Sequence, residues 1–348
     1  MSQKQEYTPV QVVWETTLRC NLKCLHCGSS AGNARPNELS TEEGIKLCKD
    51  LAELNAKEVC LMGGEPFLRK DWPILAKTVK DFGMKLLFIS NGFNNNKRII
   101  PMLRKLEPYG VSASLDGGKA ETHDYIRGVK GSFDKVMEFI TLARDADLPT
   151  TIITTVSKLN FKELPLIKDI IFGRGIAWQI QVATPEGRFP MKYALSKEEY
   201  YAVALFIADM QRKYTKGELP VIGAHCFGYH SRYIPCLGLY PEFMGCQAGI
   251  TILSIKSDGD VIGCLATPDE YIEGNIREKS IIDIWNDPNA FAYNRKFKIE
   301  DLGENCKGCK YAETCKGGCM GFSIAFTGKP HNHPYCFYKI EPELLGKK

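Results

Sequence analysis

Six short β-branched runs alternate with six segments of helical period over the first two thirds of this 348-residue chain. No other feature restricts the fold as much. The runs are Gln11–Thr17, Glu58–Met62, Lys85–Asn91, Val111–Asp116, Thr150–Ser157 and Ala177–Ala183. Between and after them lie Thr41–Leu54, Lys70–Phe82, Asn96–Leu106, Ser132–Ala146, Lys162–Ile171 and Ser196–Tyr214. Repeated strand–helix units bury their helices against a parallel sheet, which makes the fold class α/β. Eight units close a TIM barrel, so six imply an open, partial (β/α)6 barrel. A doubly wound open sheet is the alternative. Ser40 or Thr41, with Glu43 close behind, reads as the N-cap of the first helix.

The pattern changes after Tyr214. Residues 215–240 are rich in Gly, Pro and aromatics, and eight cysteines fall between Cys236 and Cys336. A hairpin signal at Asp258-Gly259 and a helix near Ile281–Asn286 are the regular elements expected there. The apolar content looks too thin to hold this half alone, so a small metal-stapled domain is expected. The boundaries are a barrel over 9–215, a linker over 216–235 and a Cys-rich domain over 236–342. A net charge of +4 argues against a nucleic-acid surface. No run is apolar enough to span a membrane, and the polar N-terminus has no signal core. A cytoplasmic location follows. In that compartment 14 cysteines point to metal or redox chemistry rather than disulfides.

Cys20-x3-Cys24-x2-Cys27 follows the first strand, at the sheet end where α/β folds do their chemistry. Three thiolates at this spacing hold three irons of a cubane and leave the fourth open to a ligand. A zinc site with an unseen fourth ligand, or three ordinary core thiols, is the alternative. Towards the C-terminus, Cys306-x2-Cys309-x5-Cys315-x3-Cys319 is joined by Cys246, Cys264 and Cys336. A zinc ribbon would use the run as two ligand pairs, whereas the additional cysteines suit two clusters.

The first motif resembles the radical S-adenosylmethionine (SAM) superfamily, and the second resembles its SPASM extension. Together the resemblances run from about residue 10 to 340. They imply an enzyme that splits SAM at a 4Fe–4S cluster on Cys20, Cys24 and Cys27 and abstracts hydrogen from a substrate. They also imply SAM contacts. Gly63, Gly64 and Glu65 follow the second strand, with Glu65 for the amino group. Asn91 ends the third strand near the ribose, and Ser114 and Arg127 serve the carboxylate. His26 stands where relatives often carry Tyr or Phe beside the adenine. Two auxiliary 4Fe–4S clusters bring the total to three. Cys246, Cys264 and Cys319 would share the first, with Cys236 as fourth ligand and Cys226 in reserve. Cys306, Cys309, Cys315 and Cys336 would hold the second.

SPASM relatives modify peptides and proteins, or small molecules such as tetrapyrrole side chains and aminocyclitols. The leading expectation is a ribosomal peptide or protein substrate, and a small metabolite is the alternative. A zinc-stapled protein without catalysis is the reading from another class. With 19 residues before Cys20, a peptide substrate would need direct recognition or a separate leader-binding protein. A flavodoxin or ferredoxin would supply electrons. Leu265 occupies the place of the Asp base of sulfatase-maturating enzymes, which disfavours that activity. Cys48 reads as a core thiol, Cys60 as a strand thiol able to face the barrel interior, and His225, Cys226 and His230 as linker residues.

Overall fold

The computed structural model describes residues 7–224, 227–240 and 242–346. Six parallel strands form in chain order: β1 (Gln11–Thr17), β2 (Glu58–Gly63), β3 (Lys85–Ser90), β4 (Gly110–Ser114), β5 (Thr150–Val156) and β6 (Ala177–Val182). Their order in space follows their order in sequence. Crossovers of one hand then put all the helices on one face, which is barrel winding; a doubly wound sheet reverses its order. The helices are α1 (Thr41–Glu53), α2 (Trp72–Asp81), α3 (Asn96–Leu106), α4 (Ala120–Arg127), α5 (Ser132–Asp145), α6 (Leu164–Ile171) and α7 (Lys197–Lys213). Ser40 is the cap of α1. Its hydroxyl accepts from the Glu43 N–H, and the Glu43 carboxylate accepts from the Ser40 N–H.

The C-terminal half departs from expectation. A short strand, β7 (Val221–Gly223), extends the sheet beyond β6. The Asp258-Gly259 hairpin joins β8 (Ile252–Ile255) to β9 (Asp260–Ile262), and β10 (Ile272–Asn275) pairs with β9. β8 lies parallel to β1, with Gln11 opposite Ile252 and Trp14 opposite Ile255. One sheet therefore runs β10-β9-β8-β1-β2-β3-β4-β5-β6-β7. α8 (Ile281–Asn286) forms where expected. The short helices α9 (Ala292–Arg295), α10 (Ala312–Cys315), α11 (Met320–Thr327) and α12 (Phe337–Leu344) follow.

The same core explains why the second half stands with little apolar content of its own. Leu253, Ile255, Trp285, Phe291, Phe322 and Phe337 belong to one buried cluster with Trp14, Phe88, Phe139 and Trp178 of the barrel. Cys48 is buried in that cluster, as read from α1. Among the described residues no helix is long and apolar enough to cross a membrane.

Candidate functional site: the cysteine loop and the strand ends

The loop after β1 is fastened on three sides. Cys20 N–H bonds to Gly32 O at 2.8 Å and Gly32 N–H to Leu18 O at 3.1 Å, which closes it. Lys23 N–H bonds to Arg127 O and Leu25 N–H to Ile126 O, which stitches it to the end of α4. From the β6–α7 connection, Arg188 gives its backbone N–H to Cys27 O, Nε to Cys24 O at 3.0 Å and Nη1 to Ala31 O at 2.7 Å. A side chain at Gly187 would start 2.2 Å from Gly28 O, so this clamp requires glycine there.

Each sulfur of the loop meets a donor. Leu22 N–H points at Cys20 Sγ (3.5 Å), Arg127 Nη1 at Cys24 Sγ (3.6 Å) and Ala31 N–H at Cys27 Sγ (3.3 Å). Asn91 Nδ2 also approaches Cys20 Sγ at 3.7 Å and donates to Asn21 Oδ1 at 2.9 Å. Burial pushes the Cys20 thiol up to about 11 and moves Cys24 the same way. Thiols so placed stay protonated at neutral pH unless a metal takes the proton's place, and donors aimed at sulfur suit metal-bound thiolates. This donor set fits an iron–sulfur cluster.

Glu65 stands at the end of β2, fully buried. It accepts from Ser90 Oγ at 2.9 Å, from Asn91 N–H at 2.8 Å and from Phe67 N–H at 3.3 Å. Burial outweighs these bonds and raises its carboxyl to about 7. A buried acid in that state suits a cationic partner. Gly64 has a packing role as well. An added Cβ would lie 2.3 Å from Arg19 O, so the glycine lets β2 press against the cysteine loop itself. Ser114 Oγ reaches Ser90 O at 3.4 Å.

Sequence reading gave no role to the centre of a buried network. Asp116, with no exposure, pairs with Arg127 Nη2 at 2.7 Å and accepts from His26 Nε2 at 2.6 Å and Thr155 N–H at 2.8 Å. Burial alone would raise its carboxyl, but Arg127 and His26 hold it well below the usual range. Its own N–H donates to His123 Nδ1, and burial with the Arg127 charge brings that imidazole down to about 4, so it is neutral. Asp116 was legible as an acid at a strand end, but its partners lie 11 and 90 residues away in sequence. Arg127 keeps one buried group, Nε, without a partner. An orphaned donor beside the cysteine loop fits a carboxylate ligand. Glu186 Oε1 is likewise buried and unpartnered, and burial raises this carboxyl to about 7.

The C-terminal cysteines gather in two places. Cys306, Cys309, Cys315 and Cys336 line one pocket with Tyr229 and His230. Burial raises Cys306 to about 11 and pushes Cys315 and Cys336 upward. Elsewhere, burial raises the thiols of Cys246 and Cys264, and the neighbouring Cys246 adds to the shift of Cys264, which reaches about 12. The backbone N–H groups of Ala248 and of Met320, the residue after Cys319, moderate the rise of Cys246. Tyr293 lies in the field of Cys246 and Cys264. Cys236 is exposed, in a segment tied to β7 by Gly223 N–H to Leu237 O. His225 and Cys226 lie outside the described residues. Cys60 is buried on the face of β2 opposite Val59 and Leu61. Among the described residues no three His, Cys, Asp or Glu side chains converge as ligands of a single ion would.

The chain resembles known proteins. Residues 14–170 match the sequence pattern of the Radical SAM superfamily, and residues 246–310 that of the SPASM iron–sulfur cluster-binding domain. The AdoMet-dependent heme synthase of Methanosarcina barkeri (strain Fusaro / DSM 804) is 30% identical over 347 residues, covering 95% of this chain and 97% of that protein. The chain belongs to the radical SAM superfamily, in its SPASM branch. A second radical SAM relative, mycofactocin maturase MftC of Mycobacterium ulcerans (strain Agy99), is 29% identical over 94% of this chain and 86% of its own. Streptococcus suis SuiB bound to S-adenosylmethionine has the same fold, with a TM-score of 0.74 at 19% identity over 94% of this chain and 76% of that one. Relatives named as synthases and maturases are enzymes. The reading as a zinc-stapled binding protein is therefore set aside, and SPASM membership carries SAM and 4Fe–4S chemistry with it.

Proposed function

We propose that Cys20, Cys24 and Cys27 hold a 4Fe–4S cluster with one iron left for SAM, and that the enzyme abstracts hydrogen from a peptide or protein side chain during its modification. One observation carries the chemistry. Three donor-bound thiols meet the buried Glu65 carboxyl and the unpartnered Arg127 Nε at the carboxyl ends of β1 to β4. When bound, the cluster supplies the electron that splits SAM into methionine and a 5′-deoxyadenosyl radical. Glu65 receives the SAM amino group, and Arg127 Nε and Ser114 receive its carboxylate. Asn91, beside Cys20, faces the ribose. Gly63 and Gly64 bring β2 against the loop, and His26, anchored by Asp116, offers its ring to the adenine.

Cys306, Cys309, Cys315 and Cys336 hold one auxiliary cluster, supported by their common cavity. Cys246, Cys264 and Cys319 hold another, with Cys236 as fourth ligand. A flavodoxin or ferredoxin in a reducing cytoplasm delivers the electron, and a separate leader-binding protein presents the peptide. The maturase relative and the solved SuiB complex with its precursor peptide support a peptide substrate. A second reading, a tetrapyrrole side chain, is favoured by the heme synthase that matches nearly end to end.

Anaerobic protein is expected to carry about twelve irons, the sum of three four-iron clusters. On reduction with SAM it should release 5′-deoxyadenosine. Replacing Cys20, Cys24 and Cys27 together with Ala should abolish that release, and its survival would overturn the site. Product formation from a cysteine- or aromatic-rich precursor peptide, as against an iron-loaded porphyrin carboxylate, separates the two substrate readings.

A further inference from the structure

We propose that Arg127 sets the reduction potential of the N-terminal cluster, as a cationic donor to the Cys24 sulfur whose effect is partly offset by the charge of the Asp116 carboxylate paired with it. The inference rests on the reading that Cys20, Cys24 and Cys27 hold that cluster. It assigns Arg127 a role separate from any contact it makes with SAM.

The geometry divides one guanidinium among three tasks. Nη1 faces Cys24 Sγ at 3.6 Å, Nη2 is gripped by Asp116 at 2.7 Å, and Nε is left over. Asp116 has little freedom to release it. Its second oxygen takes the Thr155 N–H, its carbonyl takes Asn160 Nδ2 at 2.8 Å, and its N–H meets His123. The backbone of Arg127 is tied to the cysteine loop through Lys23 N–H. The head and root of the side chain are thus both held, and its distance to the sulfur is a property of the fold. Asp116 is fully buried and Arg127 nearly so, where charge acts at short range with little screening.

Reduction adds one negative charge to the cluster. A cation and hydrogen-bond donor at a ligand sulfur stabilise the reduced form and raise the potential. The neighbouring Asp116 carboxylate opposes this. The two residues should therefore move the potential in opposite directions when neutralised, which generalised loosening of the site would not do.

The test is an EPR-monitored redox titration of the full-length, anaerobically reconstituted protein without SAM. The signal followed is the one missing from the Cys20→Ala/Cys24→Ala/Cys27→Ala protein. Arg127→Gln is expected to shift it to more negative potential, and Asp116→Asn to more positive. Arg127→Lys keeps the charge but cannot reach Cys24 and Asp116 together, and should fall between wild type and Arg127→Gln. If either neutral variant loses its iron, Arg127→Lys must still shift downward. An unchanged potential in the Arg127 variants, or shifts of the same sign in Arg127→Gln and Asp116→Asn, would overturn the proposal. Absence of any such signal from the wild type would instead overturn the cluster reading beneath it.

Discussion

At the scale of single residues, the site combines groups that are costly to bury and satisfies most of them locally. Glu65 is the clearest case. Its carboxyl titrates near 7 when folded and in the mid-4s when unfolded. Between those values the folded chain keeps a proton that the unfolded chain has lost. Its contribution is therefore complete below the mid-4s and disappears as pH rises through about 7. The shift is worth roughly 3 kcal/mol. Glu65→Gln should flatten the pH dependence of urea unfolding between pH 5 and 8 in the absence of SAM, and should weaken SAM binding. A variant with the wild-type pH profile would contradict the assignment. The Gly-Gly-Glu turn was visible in the sequence. That Gly64 serves loop packing was not, because Arg19 O approaches it through space.

At the scale of elements, the strand–helix alternation was largely readable, since each unit carries its own periodicity and caps. The Ser40 cap is local chemistry, and Ser40→Ala should cost about 1 kcal/mol, measured as a lower urea midpoint. The β2–loop contact is a different kind of constraint. Gly64→Ala must displace a backbone carbonyl and should cost about 1–3 kcal/mol with loss of iron from the N-terminal site, read by iron analysis and thermal melting. α4 and β7 escaped the sequence reading. The first is 8 residues long and ends at Gly128 in a left-handed cap, and the second has 3 residues, too few for a periodic signal. The loop clamp through Arg188 was equally hidden, because an arginine in a Pro/Gly-rich connection carries no local mark of the carbonyls it will bind.

At the scale of the molecule, the Cys-rich half and the barrel share one sheet and one core. Trp285 Nε1 donates to Tyr7 O, and Arg277 pairs with Glu43 of α1 at 2.6 Å, so the joint is polar at its rim and apolar inside. Leu253→Ala, at the β8–β1 joint, should cost about 2–5 kcal/mol. It should shift barrel tryptophan fluorescence and C-terminal cluster absorbance together in denaturant. Separate transitions for the two probes would show two independent units.

The residues alone determined the class of fold, the positions of both cysteine groups along the chain and the placing of the first group after a strand end. Each of these depends on short-range spacing: a period of two or 3.6, a cap, a gap of three. Tertiary structure decided the rest. It joined β8 to β1, brought Asp116 between Arg127 and His26, and drew Cys336 to the cavity of Cys306, Cys309 and Cys315. Pairings across tens or hundreds of residues depend on which surfaces bury each other best, and local sequence carries no record of that choice.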